Sequence, residues 1–358
     1  MNRQKENLQH GARSTLLWPF TLPYGITARF KNYAYDRRWL QSKKLSWPVI
    51  SVGNLSIGGS GKTPLVLLLA DLLSQRGWNV DVLSRGYGRN RENVAHVDAA
   101  GTPEEFGDEP LLMARHGICV YVGANRFDPG ELAEKEAGAN SSNSCRLHIL
   151  DDGFQHRKLR REVDIVLVRR ADLEEQLLPA GRLREPIGGL CRADICVLRA
   201  EDADLSEHVL QLMGQHGQPS VRARVWIMDR RTTLPADATS IPNALAFCAI
   251  GDPKGFFDGL RHAGLTLGNI VAFRDHHVYG LGDIACLKAA ASRSGANCFV
   301  TTGKDSVRLA GELRSDLESH GRLVIAGLEL RLQEEKRCID GLESLLQERL
   351  QLHPGNVR

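Results

Sequence analysis

Residues 51–73 read SVGNLSIGGSGKTPLVLLLADLL, and this stretch decides the fold. A buried apolar strand ends at Asn54, a glycine-rich loop follows, and Lys62 with Thr63 opens an amphipathic helix predicted to run to about Arg76. Phosphate binding uses that order of parts. Gly58, Gly59 and Gly61 let backbone N–H groups close around phosphate oxygens, and the helix N-terminus adds partial positive charge. In such a loop Lys62 reaches the β and γ phosphates and the Thr63 hydroxyl holds Mg²⁺. Pro64 suits a first turn, where no backbone donor is needed. Ser56, Ile57, Gly58, Gly59, Ser60, Gly61, Lys62 and Thr63 are therefore the candidate nucleotide site. One position departs from the strict pattern G-x-x-x-x-G-K-[ST], with Ser56 in place of its first glycine.

Outward from this loop the same alternation continues. Strands are predicted at about 48–52, 80–83, 118–122, 147–150, 164–168 and 195–198, with a second series at about 244–250, 265–273, 298–301 and 323–325. Helical patterns separate them, so the chain reads as α/β: a phosphate-loop, mostly parallel sheet domain plus a smaller α/β domain. The polar stretch 226–243, with Pro235 and Pro242, is the expected boundary. The expected organisation is an N-terminal segment 1–40 packed on the first domain, a phosphate-loop domain 41–227, a smaller domain 228–325, and a C-terminal helix and tail 326–358 placed to return to the first domain. Residues 138–144 (GANSSNS) read as a turn-rich surface loop and 353–358 as a fraying tail.

A length of 358 residues corresponds to about two domains at roughly 100–200 residues each. The balance of 46 basic against 43 acidic residues argues against a nucleic-acid binder. Mean hydropathy is −0.26, an average that hides one sticky segment. Residues 16–28 read LLWPFTLPYGITA, followed by the basic and aromatic RFKNYAYDRRWL at 29–40. The apolar run is shorter than the roughly 20 residues a membrane helix needs, and Pro19, Pro23 and Gly25 interrupt it. The basic residues after it, and the lack of a small-residue cleavage site, argue against a signal peptide. Two readings stay open: a helix docked on the protein's own core, or an interfacial segment with Trp18, Phe20, Tyr24, Phe30, Tyr33, Tyr35 and Trp39 as anchors and cations for anionic headgroups. The eight cysteines show no C-x-x-C spacing, which fits a reducing cytosol and no structural metal.

Further motifs carry chemistry. In RLHILDDGFQHRKL (146–159) a strand delivers Asp151 and Asp152 to the sheet edge where doubly wound folds bind ligands, and two adjacent carboxylates there call for a cation such as Mg²⁺. The plainer reading is an Asp-Asp-Gly turn. Gln155 and His156 follow within reach of a substrate. SRGYGRNRE (84–92) sets Arg85 and Arg89 among glycines, as an anion site or a solvated loop. FGDEPLLMARH (106–116) places Asp108 and Glu109 at a helix start, as helix partners or as a base. LLPAGRLREP (177–186) joins Arg184 to Glu185, which could clamp phosphate and reach Mg²⁺ or simply pair at the surface. AFRDHHVYG (272–280) sets Asp275 beside His276, and a carboxylate next to an imidazole can fix its tautomer for taking a proton from an alcohol. TTGKDSVRL (301–309) lacks the N-K-x-D order of guanine recognition.

Taken together and in this order, NLSIGGSGKTP, SRGYGR, GDEP, DDGFQH, LLPAGRLREP, FRDHHVY and TTGKDSVRL make the chain resemble the tetraacyldisaccharide 4'-kinases, the lipid A 4'-kinases of Gram-negative bacteria, over about residues 10–330. The resemblance implies transfer of the ATP γ-phosphoryl group to the 4'-hydroxyl of a tetraacylated glucosamine disaccharide 1-phosphate at the cytoplasmic face of the inner membrane. It implies two domains joined by a short β linker, ATP and Mg²⁺ as cofactors, a glycolipid and a membrane surface as partners, and no obligate protein partner. The family's loop also lacks the first glycine, in keeping with Ser56. By position, Asp108 and His276 would act in catalysis with Asp275 as orienting partner. Thr63 with Asp151 or Asp152, together with Glu185, would hold Mg²⁺. Arg85, Arg89 and Arg184 would meet developing charge or the substrate's 1-phosphate, with Glu109, Gln155 and His156 nearby. Gly303 departs from the family, which has Glu there. Competing readings are a phosphate-loop ATPase that positions protein partners on a membrane and a soluble small-molecule kinase. The first usually has a lysine where this chain has Ile57, and the second has no need of 16–39.

Overall fold

The computed structural model describes residues 2–58, 61–138, 145–214, 224–238, 241–309 and 311–351, with side chains from residue 19 onward. Gly59 and Ser60 of the glycine loop, most of the loop expected at 138–144 and the tail 353–358 lie outside the described residues. The chain forms two compact units: one of 1–83, 126–229 and 332–358, the other of 84–125 and 230–331. The segment 84–125, which the sequence reading left inside 41–227, thus groups with the second unit.

In the first unit, Val49–Asn54 is buried along its whole length, as a continuous apolar strand covered on both faces should be. It pairs in parallel with Arg146–Asp151, Val52 opposite Asp151, and with Val163–Val168, Asn54 opposite Leu167. Asn79–Ser84 lies beyond Arg146–Asp151, while Ile195–Arg199 and then Arg224–Thr233 extend the other side, all parallel. Asn54 and Asp151 therefore sit at one carboxyl edge, from which the glycine loop departs. The helix Lys62–Gln75 buries Leu65, Val66, Leu69, Ala70 and Leu73, the three-four spacing of a core-facing stripe.

The strand Arg224–Thr233 occupies the start of the stretch expected to be a polar boundary. Trp226 and Met228 alternate inward, and that period of two makes a strand although Asp229, Arg230 and Arg231 dominate the composition.

The N-terminal helix spans Asn2–Asp36 and continues through Pro19 and Pro23, both exposed. Spaced four apart, the two prolines share the solvent side, where water can satisfy the carbonyls they leave unpaired. Gly25, Ala34 and Tyr35 are buried, and the Tyr24 hydroxyl donates to the Arg184 carbonyl at 2.8 Å, so one face docks on the first unit. Phe20, Ile26, Phe30, Tyr33 and the following Trp39 are exposed. Among the described residues no helix is long and apolar enough to cross a membrane.

The second unit has a parallel sheet in the order Leu267–Ala272, Ala244–Cys248, Cys298–Thr302, Arg322–Leu332. Along its inner strand Ala244, Ala246 and Cys248 face one cluster with Phe256, Phe257 and Leu260 of the helix Pro253–His262. Leu245, Phe247 and Ala249 face another with Ile284, Leu287 and Ala291 of Leu281–Ser294. This alternation is why a six-residue apolar run can serve two layers. The helix Asp108–Arg115 packs on Gly303–Arg308 within the same unit.

Candidate active site

In the first unit, the loop leaving Asn54 is tied back to its own strand edge. Asn54 Nδ2 donates to the Ser56 carbonyl at 2.7 Å. Ser56 is fully buried and its Oγ accepts from Arg169 Nη2 at 3.0 Å, so the residue that replaces the expected glycine has a partner of its own. Ile57 N donates to the Arg182 carbonyl at 2.8 Å, and the Arg182 guanidinium returns to the Ile57 carbonyl. Gly58 has φ +107°, and a Cβ there would also collide with the Arg182 guanidinium. Lys62 Nζ donates to Asn54 Oδ1 at 3.0 Å and lies 3.4 Å from Asp152 Oδ1. Thr63, nearly buried, follows at the helix start.

Asp152 has φ +50°, an uncommon conformation for a non-glycine residue and one that recurs at functional sites. Arg184 Nη1 donates to both of its oxygens, at 2.9 and 2.8 Å. Burial raises the Asp152 pKa, but Lys62 and Arg184 outweigh it and hold the carboxyl below its ordinary range. Gln155 Nε2 bridges the Asn54 carbonyl and Glu185 Oε1, both at 2.8 Å. Glu185 Oε2 accepts from Arg192 at 2.8 Å and from Asn32 at 3.1 Å. The Thr63 hydroxyl and the Asp151 and Asp152 carboxylates are hard oxygen donors of the kind Mg²⁺ takes when phosphate and water complete its shell. Glu185, like Asp152, has both oxygens engaged by nitrogen donors, here from Gln155, Arg192 and Asn32. His156 Nε2 is buried without a hydrogen-bond partner.

The second unit carries the other cluster. Gly107 precedes the helix Asp108–Arg115 at φ +90°, and a Cβ on it would press on the Tyr87 carbonyl at 2.9 Å. The turn thus delivered sets Asp108 Oδ2 3.2 Å from His276 Nδ1, 2.8 Å from Arg308 Nε and 2.5 Å from Arg308 Nη2. Burial pushes the Asp108 carboxyl up, but hydrogen bonds from His276 and Arg308 and the charges of Arg308 and Lys304 bring it down to about 2. His276 has φ +60°, and its ring lies edge-on to Tyr87 at 5.4 Å. Lys304 Nζ pairs with Glu109 Oε1 at 2.8 Å and faces His276 Nε2 at 3.4 Å.

The expected neighbour of His276 is thus displaced. Asp275 Oδ1 is 4.0 Å from Nε2 and buried without a hydrogen-bond partner, while Asp108, 168 positions away, makes the bond. Adjacent residues on an extended backbone point apart, which a left-handed His276 accentuates. Arg89 donates to its own loop, at the Asn93 carbonyl, and Arg85 is exposed. Sequence reasoning missed Asn54, Arg169, Lys304 and Arg308. The last two stand in TTGKDSVRL, whose order in a recurring set of motifs was their only signal.

A glycine loop between a buried parallel strand and a helix, with an acidic strand end beside its lysine, defines a phosphate-loop nucleotide-binding protein. More narrowly, the chain belongs to the tetraacyldisaccharide-1-P 4'-kinase (LpxK) family, whose model matches residues 13–347. A tetraacyldisaccharide 4'-kinase of Koribacter versatilis (strain Ellin345) is 40% identical over 339 residues, covering 92% of this chain and 99% of the relative. That of Aquifex aeolicus (strain VF5) is 36% identical over 312 residues, covering 84% and 90%. The crystal structure of LpxK from Aquifex aeolicus in complex with ATP is similar with a TM-score of 0.71 and 31% identity, covering 93% of this chain and 99% of that one. The family implies ATP with Mg²⁺ as the cofactors. The alternative of an ATPase that positions protein partners finds no support in these matches.

Proposed function

We propose that this chain transfers the γ-phosphoryl group of ATP to the 4'-hydroxyl of a tetraacylated glucosamine disaccharide 1-phosphate. The observation that carries the reading is a phosphate loop, with Lys62 drawn to the acidic strand edge, in a chain similar to a 4'-kinase over 99% of that relative's length. The loop 56–63 cradles the ATP phosphates, and Thr63, Asp151 and Asp152 are the residues that would hold Mg²⁺. Held there, Mg²⁺ would supply positive charge to the nucleotide phosphates. Asp108 receives the hydroxyl proton and His276 orients the carboxylate by hydrogen bonding to Oδ2. Arg85 and Arg89 offer positive charge to the anionic groups of the substrate.

The protein works, in this reading, as a peripheral protein at the cytoplasmic face of the inner membrane, without an obligate protein partner. Support comes from the exposed aromatic face at Phe20, Phe30, Tyr33 and Trp39, interleaved with Arg29, Arg37 and Arg38. Purified protein incubated with γ-labelled ATP and tetraacyldisaccharide 1-phosphate in detergent micelles is expected to yield a labelled bisphosphorylated lipid. Folded protein that leaves the lipid unlabelled would overturn the reading.

A further inference from the structure

The turn that follows His276 is built to hold one apolar side chain out in water. His276 N donates to the Ala249 carbonyl and His277 N to the Arg274 carbonyl. The His277 ring stacks on Phe273 at 4.9 Å, and its Nε2 lies 2.9 Å from Asp283 Oδ2. Tyr279 is buried, and its hydroxyl donates to Asp305 Oδ1 at 3.1 Å. Gly280 N donates to Asp283 Oδ2 at 2.9 Å, which closes the turn onto the start of the helix Leu281–Ser294. Among these anchored neighbours Val278 alone is turned to solvent, with 79% of its surface exposed.

A single exposed apolar residue is ordinary, but Val278 has company. Leu281, which opens the helix, is 66% exposed, and the outward positions after it, Gly282, Ala285 and Cys286, carry no charge. On the other side of His276, Tyr87 sets its ring edge-on to the imidazole at 5.4 Å and leaves 66% of its own surface exposed. Val278 stands two residues from His276, so its Cα is within about 7 Å of that residue's. The second unit thus borders its His276 with uncharged, water-exposed side chains held on a rigid turn.

Hydrocarbon is the ligand such a border fits. The acceptor proposed above carries acyl chains on its sugar rings, so a chain leaves the ring within a few bonds of the hydroxyl to be phosphorylated. Bringing that hydroxyl to the Asp108–His276 pair also brings hydrocarbon to whatever surrounds His276. A charged border would have to give up its hydration to let the chain lie there, whereas exposed valine, leucine and tyrosine gain by releasing water. We propose that Val278, Leu281 and the outer edge of Tyr87 seat an acyl chain of the acceptor, so that the second unit selects for acylation as well as for a hydroxyl. Such a seat presupposes the lipid acceptor proposed above and requires only that its hydroxyl reach the pair.

The test uses full-length protein in detergent micelles and compares Val278→Ser combined with Leu281→Ser against the apolar control Val278→Leu combined with Leu281→Met. With tetraacyldisaccharide 1-phosphate the serine variant is expected to raise the KM for the acceptor by about tenfold, because the lost contact serves substrate and transition state alike. Its kcat and its KM for ATP should stay within about twofold of wild type, and so should all three constants of the apolar control. The preference for long over four-carbon acyl chains, read as a ratio of kcat/KM values, should shrink by about tenfold in the serine variant. An unchanged acceptor KM, an unchanged chain-length ratio, or a loss confined to kcat would each sink the proposal. Should the double serine variant fail to fold, Val278→Ser alone decides, with an expected rise in acceptor KM of about threefold. Cosedimentation with vesicles of phosphatidylglycerol and phosphatidylethanolamine separates a substrate chain from the bilayer. The serine variant should sediment as wild type does, and weaker sedimentation in step with the raised KM would assign the surface to the bilayer and overturn the seat. Wild-type protein that leaves the lipid unlabelled overturns the proposed function itself, whereas active wild type beside an indifferent serine variant overturns the seat alone.

Discussion

Lys62 Nζ lies 3.4 Å from Asp152 Oδ1, so the cation of the glycine loop is already drawn to the strand edge where phosphates would arrive. Incoming phosphate oxygens have to compete with this carboxylate and with Asn54 Oδ1 for the same three hydrogens. Lys62→Ala is therefore expected to lower kcat/KM for ATP by about a hundredfold or more, the scale of removing one preorganised charge from a phosphoryl-transfer site. Steady-state kinetics at varied ATP checks this, and a change under about threefold would contradict it.

Asp108→Asn keeps the shape of the side chain and removes its ability to take a proton. Turnover should drop by about a hundredfold or more while ATP binding is unchanged, because the loss falls on the acceptor's proton. Calorimetric titration with ATP beside the lipid kinase assay separates the two. Weakened ATP binding in proportion to the lost turnover would contradict the assignment.

His156 carries a pH dependence of stability. Burial, and then the charges of Arg126, Arg161, Lys158 and Lys31, lower its pKa from 6.5 to about 3. The unfolded chain gains a proton there below about 6.5 and the folded protein does not, so this contribution is fully present above 6.5 and is lost as pH falls toward 3. Between pH 7.5 and 5 the loss is at most about 2 kcal/mol, reduced by the partial exposure of the ring. Urea denaturation of wild type and His156→Gln at both pH values should show a smaller pH difference in the variant; equal differences would refute the assignment.

The outward face of the N-terminal helix should govern lipid contact. Phe30→Ser with Trp39→Ser is expected to weaken binding to vesicles rich in anionic lipid by at least about tenfold, since each large apolar side chain contributes about 1.5–3 kcal/mol on leaving water. Phe30 and Trp39 pack edge to face at 6.5 Å without belonging to the core, so thermal stability in detergent should change little. Cosedimentation measures the first and a melting curve the second.

Much of the fold was legible because it is written in local patterns. The run 49–54 and the glycines after it announce a buried strand and a phosphate loop within a short window. Ala244 to Ala249 likewise show in sequence the apolar run that two layers share. Arg224–Thr233 was not legible, since the charges of its second half masked an alternation only two buried residues long. The site divided the same way. Lys62, Thr63 and Asp152 follow from strand and loop geometry, but Asp108 Oδ2 joins Arg308 across 200 positions and His276 across 168, distances at which spacing carries no information. Asp275, adjacent to His276 in sequence, was the natural partner to expect, and the backbone turns it aside.

The last helix, Glu335–Gln351, is bound to the first unit by Asp340 and Glu343 on Arg76, by Glu343 on Trp78 and by Arg349 on Asp194. The first unit is thus assembled from three separate lengths of chain, the last of them beginning at Leu332, while every residue of the second is made before that point. On a ribosome the second unit can finish first, although translation of the other began earlier. The nucleotide-binding unit cannot be completed until the chain has been made through Leu332 and the helix after it, so a chain cut short before residue 335 lacks a helix that packs within the phosphate-loop unit.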